Sequence, residues 1–478
     1  RTARQLGDNP GELDSVLRLA RNGVLFIDEA HQLAEPQNVW GRSVIKRLVT
    51  VLEDPEIKRN TCIILAGYPW EMERLLAVDS GLQSRFGGED SRIVFEDYTA
   101  EELLSILDDM ASRADRIPEI GFQLHDTQAY VLNELRQCAP DRLETPAVCG
   151  VKAVFFAKDA QKTIALRADM DGIHNDEAND VPYRSQRPGC MHGCGHDGHM
   201  TILLLLARWI AKNRARLHCN VVLLFQPGEE GWGGARKMID EGALVSPKVD
   251  RIYGLHLWPT VPGGKIGIRW SNLMAQTSDF EIKIHGKSAH ASTPQMGIDA
   301  IVVAAELITM IQSVITRDVD PHQDALLTLG KIVGGTSHNV IAEEVTMSGT
   351  LRVFSNELYD KLMRQIIALL KGLEMATGAG ISMQTIVHYP YVANPRALVE
   401  KFYTVLDSMD DVVLVEPVMA AEDFAEYQQK VEGMFMFLGV NGGRGGAPLH
   451  SSKFDFDEEV LLVGVEAFKR ILESENYA

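Results

Sequence analysis

The chain has 478 residues, 45% apolar and 24% charged, the balance of a globular protein with two or three domains. Its 66 acidic and 47 basic side chains leave a formal charge of −19, which excludes a nucleic-acid partner, because phosphate backbones need clustered Lys and Arg. The apolar run 202–207 stops at Arg208, so no membrane partner is expected, and six scattered cysteines without a leader pattern point to a reducing cytoplasm.

In chain order, a first helix leads to an apolar strand, Gly23-Val24-Leu25-Phe26-Ile27-Asp28-Glu29. A helix at 41–53 and a second apolar strand, 61–67, follow. A third strand, 91–95, precedes a helix over 99–114, where Thr99 and Glu102 form a capping box. Apolar strands alternating with helices predict a parallel sheet covered on both faces. The stretch Val24 to His31 resembles the second nucleotide motif of AAA-type ATPases, in the branch with Rubisco-activase-like proteins. That resemblance implies that Asp28 helps hold Mg²⁺ and Glu29 polarises water, and that Gly81-Leu82-Gln83-Ser84-Arg85-Phe86 carries an arginine finger, Arg85. The loop G-x-x-x-x-G-K-[ST] does not occur: Gly286-Lys287-Ser288 has Glu281 where the first glycine belongs. Residues 1–114 are therefore expected to be a truncated AAA-type fragment that does not hydrolyse nucleotide. The chain opens on Arg1, so the native start is expected to be missing or processed.

From Ile117 the character changes. An amphipathic helix (127–137) opens a series of strands at 150–157, 163–168, 220–226, 250–256 and, after a long interruption, 434–439. The interruption has its own rhythm: strand 279–285, helix 297–316, strands 325–332 and 346–354, helix 357–377 and strand 380–388. The expected domains are 1–114, a catalytic domain in two parts (115–277 and 390–478), and an α+β domain at 278–389 inserted between them.

The chemistry gathers where strands end. Asp169 and Asp171 follow one strand and Glu229-Glu230 another; His256 ends a third, and His450 follows the last. Cys194 and His196 stand two residues apart before a long apolar helix. Open α/β sheets collect ligands beyond strand carboxyl ends, and thiol, imidazole and carboxylate together suit a first-row divalent metal.

The pieces Leu166-Arg167-Ala168-Asp169-Met170-Asp171-Gly172, Met191 to His199, Gln226-Pro227-Gly228-Glu229-Glu230, Gly254-Leu255-His256, His285 to Ser292, Asn339-Val340-Ile341, Gly349-Thr350-Leu351-Arg352, Ala421-Glu422-Asp423-Phe424 and Leu449-His450-Ser451 resemble the aminoacylase and carboxypeptidase family of metal-dependent amidohydrolases over 117–478. The similar branch includes hippurate hydrolases, N-acetyl-amino-acid and N-acetyldiaminopimelate deacetylases and auxin-conjugate hydrolases. The resemblance implies an α/β metallopeptidase-like catalytic domain interrupted by an α+β lid and dimerisation domain. It implies two divalent ions (Zn, Mn, Co or Ni) held by Cys194, His196, Glu230, His256 and His450, with Cys194 as the bridge. Glu229 would be the general base, and Asp171 would orient a ligand imidazole. His290 would stabilise the oxyanion in the partner's site of a homodimer, while Asn339 and Arg352 would hold the substrate. His192 and His199 are expected to pack at the helix entry or support ligands, Cys190 to be structural and Glu422 to lie outside the site. His174 departs from the family pattern, and Leu103, Leu104, Leu107 and Met110 are expected to dock where a missing family helix belongs. The expected activity is hydrolysis of N-acyl amino acids. The alternatives are a carboxypeptidase or dipeptidase and, from another class, an ATP-dependent remodelling protein.

Overall fold

A computed structural model describes residues 125–407, 412–442 and 446–475, with Leu13, 24–27, 30–34, 41–52, 62–65, 69–79, Leu82 and Phe86 before them. The chain divides into two compact units, Arg1–Thr99 and Ala100–Ala478. In the first, strands β1 (Val24–Ile27) and β2 (Cys62–Leu65) pair in parallel, with α1 (Gly41–Val51) between them in sequence and α2 (Pro69–Val78) after. Leu25, Ile27, Val44, Leu48 and Leu75 share its core. Asp28, Glu29, Arg85, the strand expected at 91–95, the helix expected at 99–114 and the boundary at 114 lie outside the described residues.

The second unit is built on an eight-stranded mixed sheet. Its strands are β3 (Arg142–Glu144), β4 (Val151–Phe155), β5 (Thr163–Asp169), β6 (Asn220–Gln226), β7 (Arg251–Pro262), β8 (Ile266–Ile268), β15 (Val412–Leu414) and β16 (Glu432–Asn441), in the order β15-β8-β16-β7-β5-β6-β4-β3. The inner four, β16, β7, β5 and β6, are mutually parallel, so their carboxyl ends share one edge of the sheet. These strands lack polar alternation because both faces are covered; every residue of β5 is buried. Helix α4 (His196–Asn213) is buried nearly all round, and the helix Val460–Ser474 lies close enough that Gly464 sits against Ile202.

A separate antiparallel sheet of order β11-β12-β10-β13 uses β10 (Gln276–His285), β11 (Ala325–Gly334), β12 (Glu344–Val353) and β13 (Gly380–Tyr389). Phe280, Ile282 and Ile284 alternate inward on β10 and meet one face each of the helices Ala300–Asp318 and Asn356–Thr377. Asp299 caps the first helix through the Ile301 and Val302 N–H groups, and Ser355 caps the second through Leu358 N–H. By length and composition alone, Ala300–Asp318 is apolar enough to cross a bilayer. Its buried residues, Ala300, Val303, Ala304, Leu307, Ile311 and Val314, recur at helical spacing and pack into this sheet's core.

Candidate metal centre

Four pieces of chain meet at the carboxyl edge of the parallel strands. Between Cys194 and His196, Gly195 takes φ +84 with Leu257 Cδ1 3.0 Å from where a Cβ would stand, so only glycine passes the chain there. His450 is drawn to the same turn by its N–H bond to Gly193 O (2.7 Å) and holds a left-handed backbone, φ 64. Such a conformation in a non-glycine residue costs about 1–3 kcal/mol, which surrounding contacts must offset. His256 lies within β7, which runs six residues past it; the expectation that it ends the strand is corrected.

Two overlapping donor sets result. Ligand-type atoms of Cys194, His196 and His256 lie within 4.8 Å of one another, and so do those of Cys194, Glu230 and His450. Cys194 belongs to both. His256 Nδ1–H donates to Leu257 O (2.7 Å), which leaves the Nε2 lone pair 3.4 Å from Cys194 Sγ. His450 Nε2 is 2.9 Å from Glu230 Oε1. The His196 ring is fully buried and neither nitrogen is hydrogen-bonded; Asp171 and Asp169 oxygens stand 3.5 and 3.6 Å away. Burial opposes its protonation, but Asp169 and then Asp171 outweigh that and lift its pKa to about 10. Orphaned buried nitrogens in a field that calls for positive charge, beside a thiol and an acid, fit a divalent cation.

Asp171 does more than face an imidazole. Its oxygens accept from Glu229 N–H (3.1 Å) and Glu230 N–H (3.0 Å) and so set the turn that carries both acids. Tyr389 OH donates to Glu229 O (3.0 Å) and accepts from Gly233 N–H (3.1 Å). The Glu229 carboxyl is pushed well above the ordinary range, first by burial, then by Glu422 and Glu230. Burial acts the same way on Cys194, reinforced by Glu230 and Glu229. Glu230 goes the other way: burial resists its ionisation, but the His450 hydrogen bond and His196 bring it down.

Arg352 and the donors Cys194, Glu230, His256 and His450 line one cavity of about 270 Å³, with Tyr389, Trp258 and Asp279, and His196 is not on its wall. Arg352 Nη1 donates to Met419 O (2.9 Å). Glu422 also lines it, which corrects its exclusion from the site. His290 and Asn339 do not line it: they neighbour each other on two exposed loops, where Ala291 N–H donates to Asn339 O (3.0 Å) and His290 Nδ1 meets Ser292 Oγ (2.7 Å). His174 lines a neighbouring cavity of about 330 Å³ with Glu230 and His450, and its Nδ1 donates to Gly189 O (2.9 Å).

Behind the donors lies support that residue types alone leave unassigned. His199 Nδ1–H donates to Asp169 Oδ1 (2.5 Å), and its Nε2 accepts Leu257 N–H (2.9 Å). Arg167, fully buried, donates to Asp169 (2.7 Å), Glu422 (2.8 Å), Asp423 (2.9 Å) and Gln226 (2.9 Å). A charged residue in an all-buried strand is the one sequence signal that such partners exist.

The profile of peptidase family M20/M25/M40 matches residues 165–474. An N-acetyldiaminopimelate deacetylase of Halalkalibacterium halodurans is 36% identical over 361 residues, 75% of this chain and 96% of that one. Thermostable carboxypeptidase 2 of Saccharolobus solfataricus is 34% identical over 361 residues, 73% of this chain and 90% of its own. Among solved structures, the Bacillus subtilis YXEP protein, described as a dinuclear metal-binding peptidase, superposes with a TM-score of 0.66 at 28% identity, covering 78% of this chain and 97% of that one.

Proposed function

This chain belongs to peptidase family M20/M25/M40, and from that premise we propose that it hydrolyses the amide bond of N-acyl amino acids, N-acetyl ones above all, releasing a carboxylic acid and an amino acid. The observation that carries the reading is the convergence of Cys194, His256, Glu230 and His450 with Glu229 and Arg352 around one cavity.

Cys194, His196, Glu230, His256 and His450 would hold two divalent ions, Cys194 serving both. Such ions polarise a carbonyl and acidify water when bound. Glu229 takes the proton of the attacking water and returns it to the leaving amine; a carboxyl whose affinity for protons is raised is suited to both steps. Asp171 and Tyr389 hold the Glu229 backbone in place. Arg352 grips the free carboxylate, with Nη1 anchored on Met419. His290 and Asn339 serve the site of a second copy: each lies in an exposed loop of the four-stranded sheet's layer, whose edge strand β11 exposes Ile332 and Val333.

The relative named as a carboxypeptidase supports the nearest second reading, cleavage of short peptides by the same site. The parallel pair β1/β2 supports the AAA-type reading of the first unit. A reducing compartment suits the free thiols of Cys138, Cys194 and Cys219. Elemental analysis plus hydrolysis of N-acetyl amino acids, with Glu229→Ala as control, tests the proposal. Equal inactivity of wild type and variant with metal bound would sink it.

A further inference from the structure

Glu422 borders the cavity, and the roles argued so far leave it unused. Its side chain is 1% exposed, so each carboxyl oxygen needs a partner inside the protein. Oε1 has two: Arg167 Nη2 donates to it (2.8 Å), and so does Phe424 N–H (3.0 Å). Oε2 has no partner among the described residues. One carboxyl oxygen each of Glu422, Glu229 and Asp423 lies within 4.8 Å of the other two. Asp423 is not the missing partner, because Arg167, Gln226 and Ala235 N–H already donate to its two oxygens. Glu229 is the group left within reach.

Two buried carboxylates that face each other repel, and a proton between them turns the repulsion into a hydrogen bond. No cation of the roles assigned above takes that place. Arg167 is already shared among Asp169, Glu422 and Asp423. The five residues that would hold the two metal ions form no common donor cluster with Glu422 among the described residues. Burial, opposed by Arg167 and reinforced by Asp169 and Asp423, pushes Glu422 up to about 8, so it mostly keeps its proton at pH 7.

We infer that Glu422 is a positioning residue for the general base: its Oε2–H donates to one oxygen of Glu229 and leaves the other to face the attacking water. Bonds of this kind are often long before substrate binds and tighten in the complex. Arg167 and Phe424 N–H fix Glu422 in turn, since both pin Oε1 and leave Oε2 to carry the hydrogen. This rests on the hydrolase reading above and adds a residue to its machinery.

The test compares Glu422→Gln and Glu422→Met in the metal-reconstituted chain, with N-acetyl-L-methionine as substrate. In Gln the amide oxygen must take the Arg167 and Phe424 donors, so its NH₂ group faces Glu229 and supplies the same bond. Glu422→Met keeps the bulk without a donor. It should lower kcat about tenfold or more at unchanged KM and metal content, the worth of a hydrogen bond to a charged group, and Glu422→Gln should restore most of that loss. A Met variant with wild-type kcat, or a Gln variant that falls as far as Met, overturns the proposal. Infrared spectra at pH 7 give a second reading that needs neither turnover nor the Met variant. The wild type should show a protonated-carboxyl band that Glu422→Gln removes and Glu229→Gln shifts. That pattern without hydrolysis of the acetylated substrate supports the carboxyl pair and removes the hydrolase reading. A band that Glu229→Gln leaves in place removes the pair.

Discussion

Replacing Arg167 with Met should destabilise the second unit in a manner that depends on pH. The guanidinium is 1% exposed and touches three carboxylates that are themselves buried: Asp169, Glu422 and Asp423. Removing one partner of a buried ion pair costs about 3–5 kcal/mol, because the other charge stays buried without compensation. Burial resists ionisation of Asp169, yet Arg167, then His196 and His199, hold it well below the usual carboxylate range. A depressed folded pKa contributes stability above the unfolded value, about 4, and loses it as pH falls through the folded one. Glu422 behaves oppositely: burial outweighs Arg167 and pushes it up to about 8, so its ionisation costs stability as pH rises from 4.5 to 8. Met at 167 removes the favourable Asp169 contribution, which is already present near pH 4.5, and deepens the Glu422 penalty, which grows as pH rises from there. Urea unfolding of the chelated whole chain should therefore show a deficit at both pH values that is larger at pH 8 than near pH 4.5. A loss below about 1 kcal/mol at pH 8, the size of an exposed ion pair, would refute the reasoning, and so would a loss that ignores pH.

Glu229→Gln should lower kcat by about 10²–10⁴, the range for a positioned acid–base group, while metal content stays at the wild-type level; retained turnover excludes Glu229 as the base. Cys194→Ala should lower metal stoichiometry more than His450→Ala, because Cys194 belongs to both donor sets and His450 to one; elemental analysis per chain decides, and equal losses would contradict a shared thiolate. His199→Leu should weaken metal affinity about 10–100-fold by releasing Asp169 and the Leu257 N–H, and chelator competition should measure it; wild-type affinity would make His199 mere packing. Metal removal should abolish hydrolysis and Zn²⁺, Mn²⁺, Co²⁺ or Ni²⁺ should restore it; activity that survives exhaustive chelation rejects the metal reading.

Donor types were legible in the sequence, and their electrical surroundings were not. Strands β5, β6, β7 and β16 read clearly because burial on both faces makes them continuous apolar runs, and acids or imidazoles placed beside such runs stand out. Strands of three or four residues, such as β3, β8 and β15, are too short for any period to show, so the mixed character of the sheet stayed hidden. Arg167 could be seen as a charge in a buried strand, but its partners arrive from 59, 255 and 256 positions away. The same limit explains the treatment of Glu422, which in sequence is one acid after a loop. In space, burial and the neighbouring Asp169 and Asp423 carboxylates push it up to about 8, so it is mostly protonated at pH 7, and it lines the same cavity as Glu229. A residue type announces what it can bind, but the charge it carries while doing so depends on neighbours that only folding brings together. That is why acids of one chemical kind divide here into a raised carboxyl at Glu229 and a lowered one at Glu230.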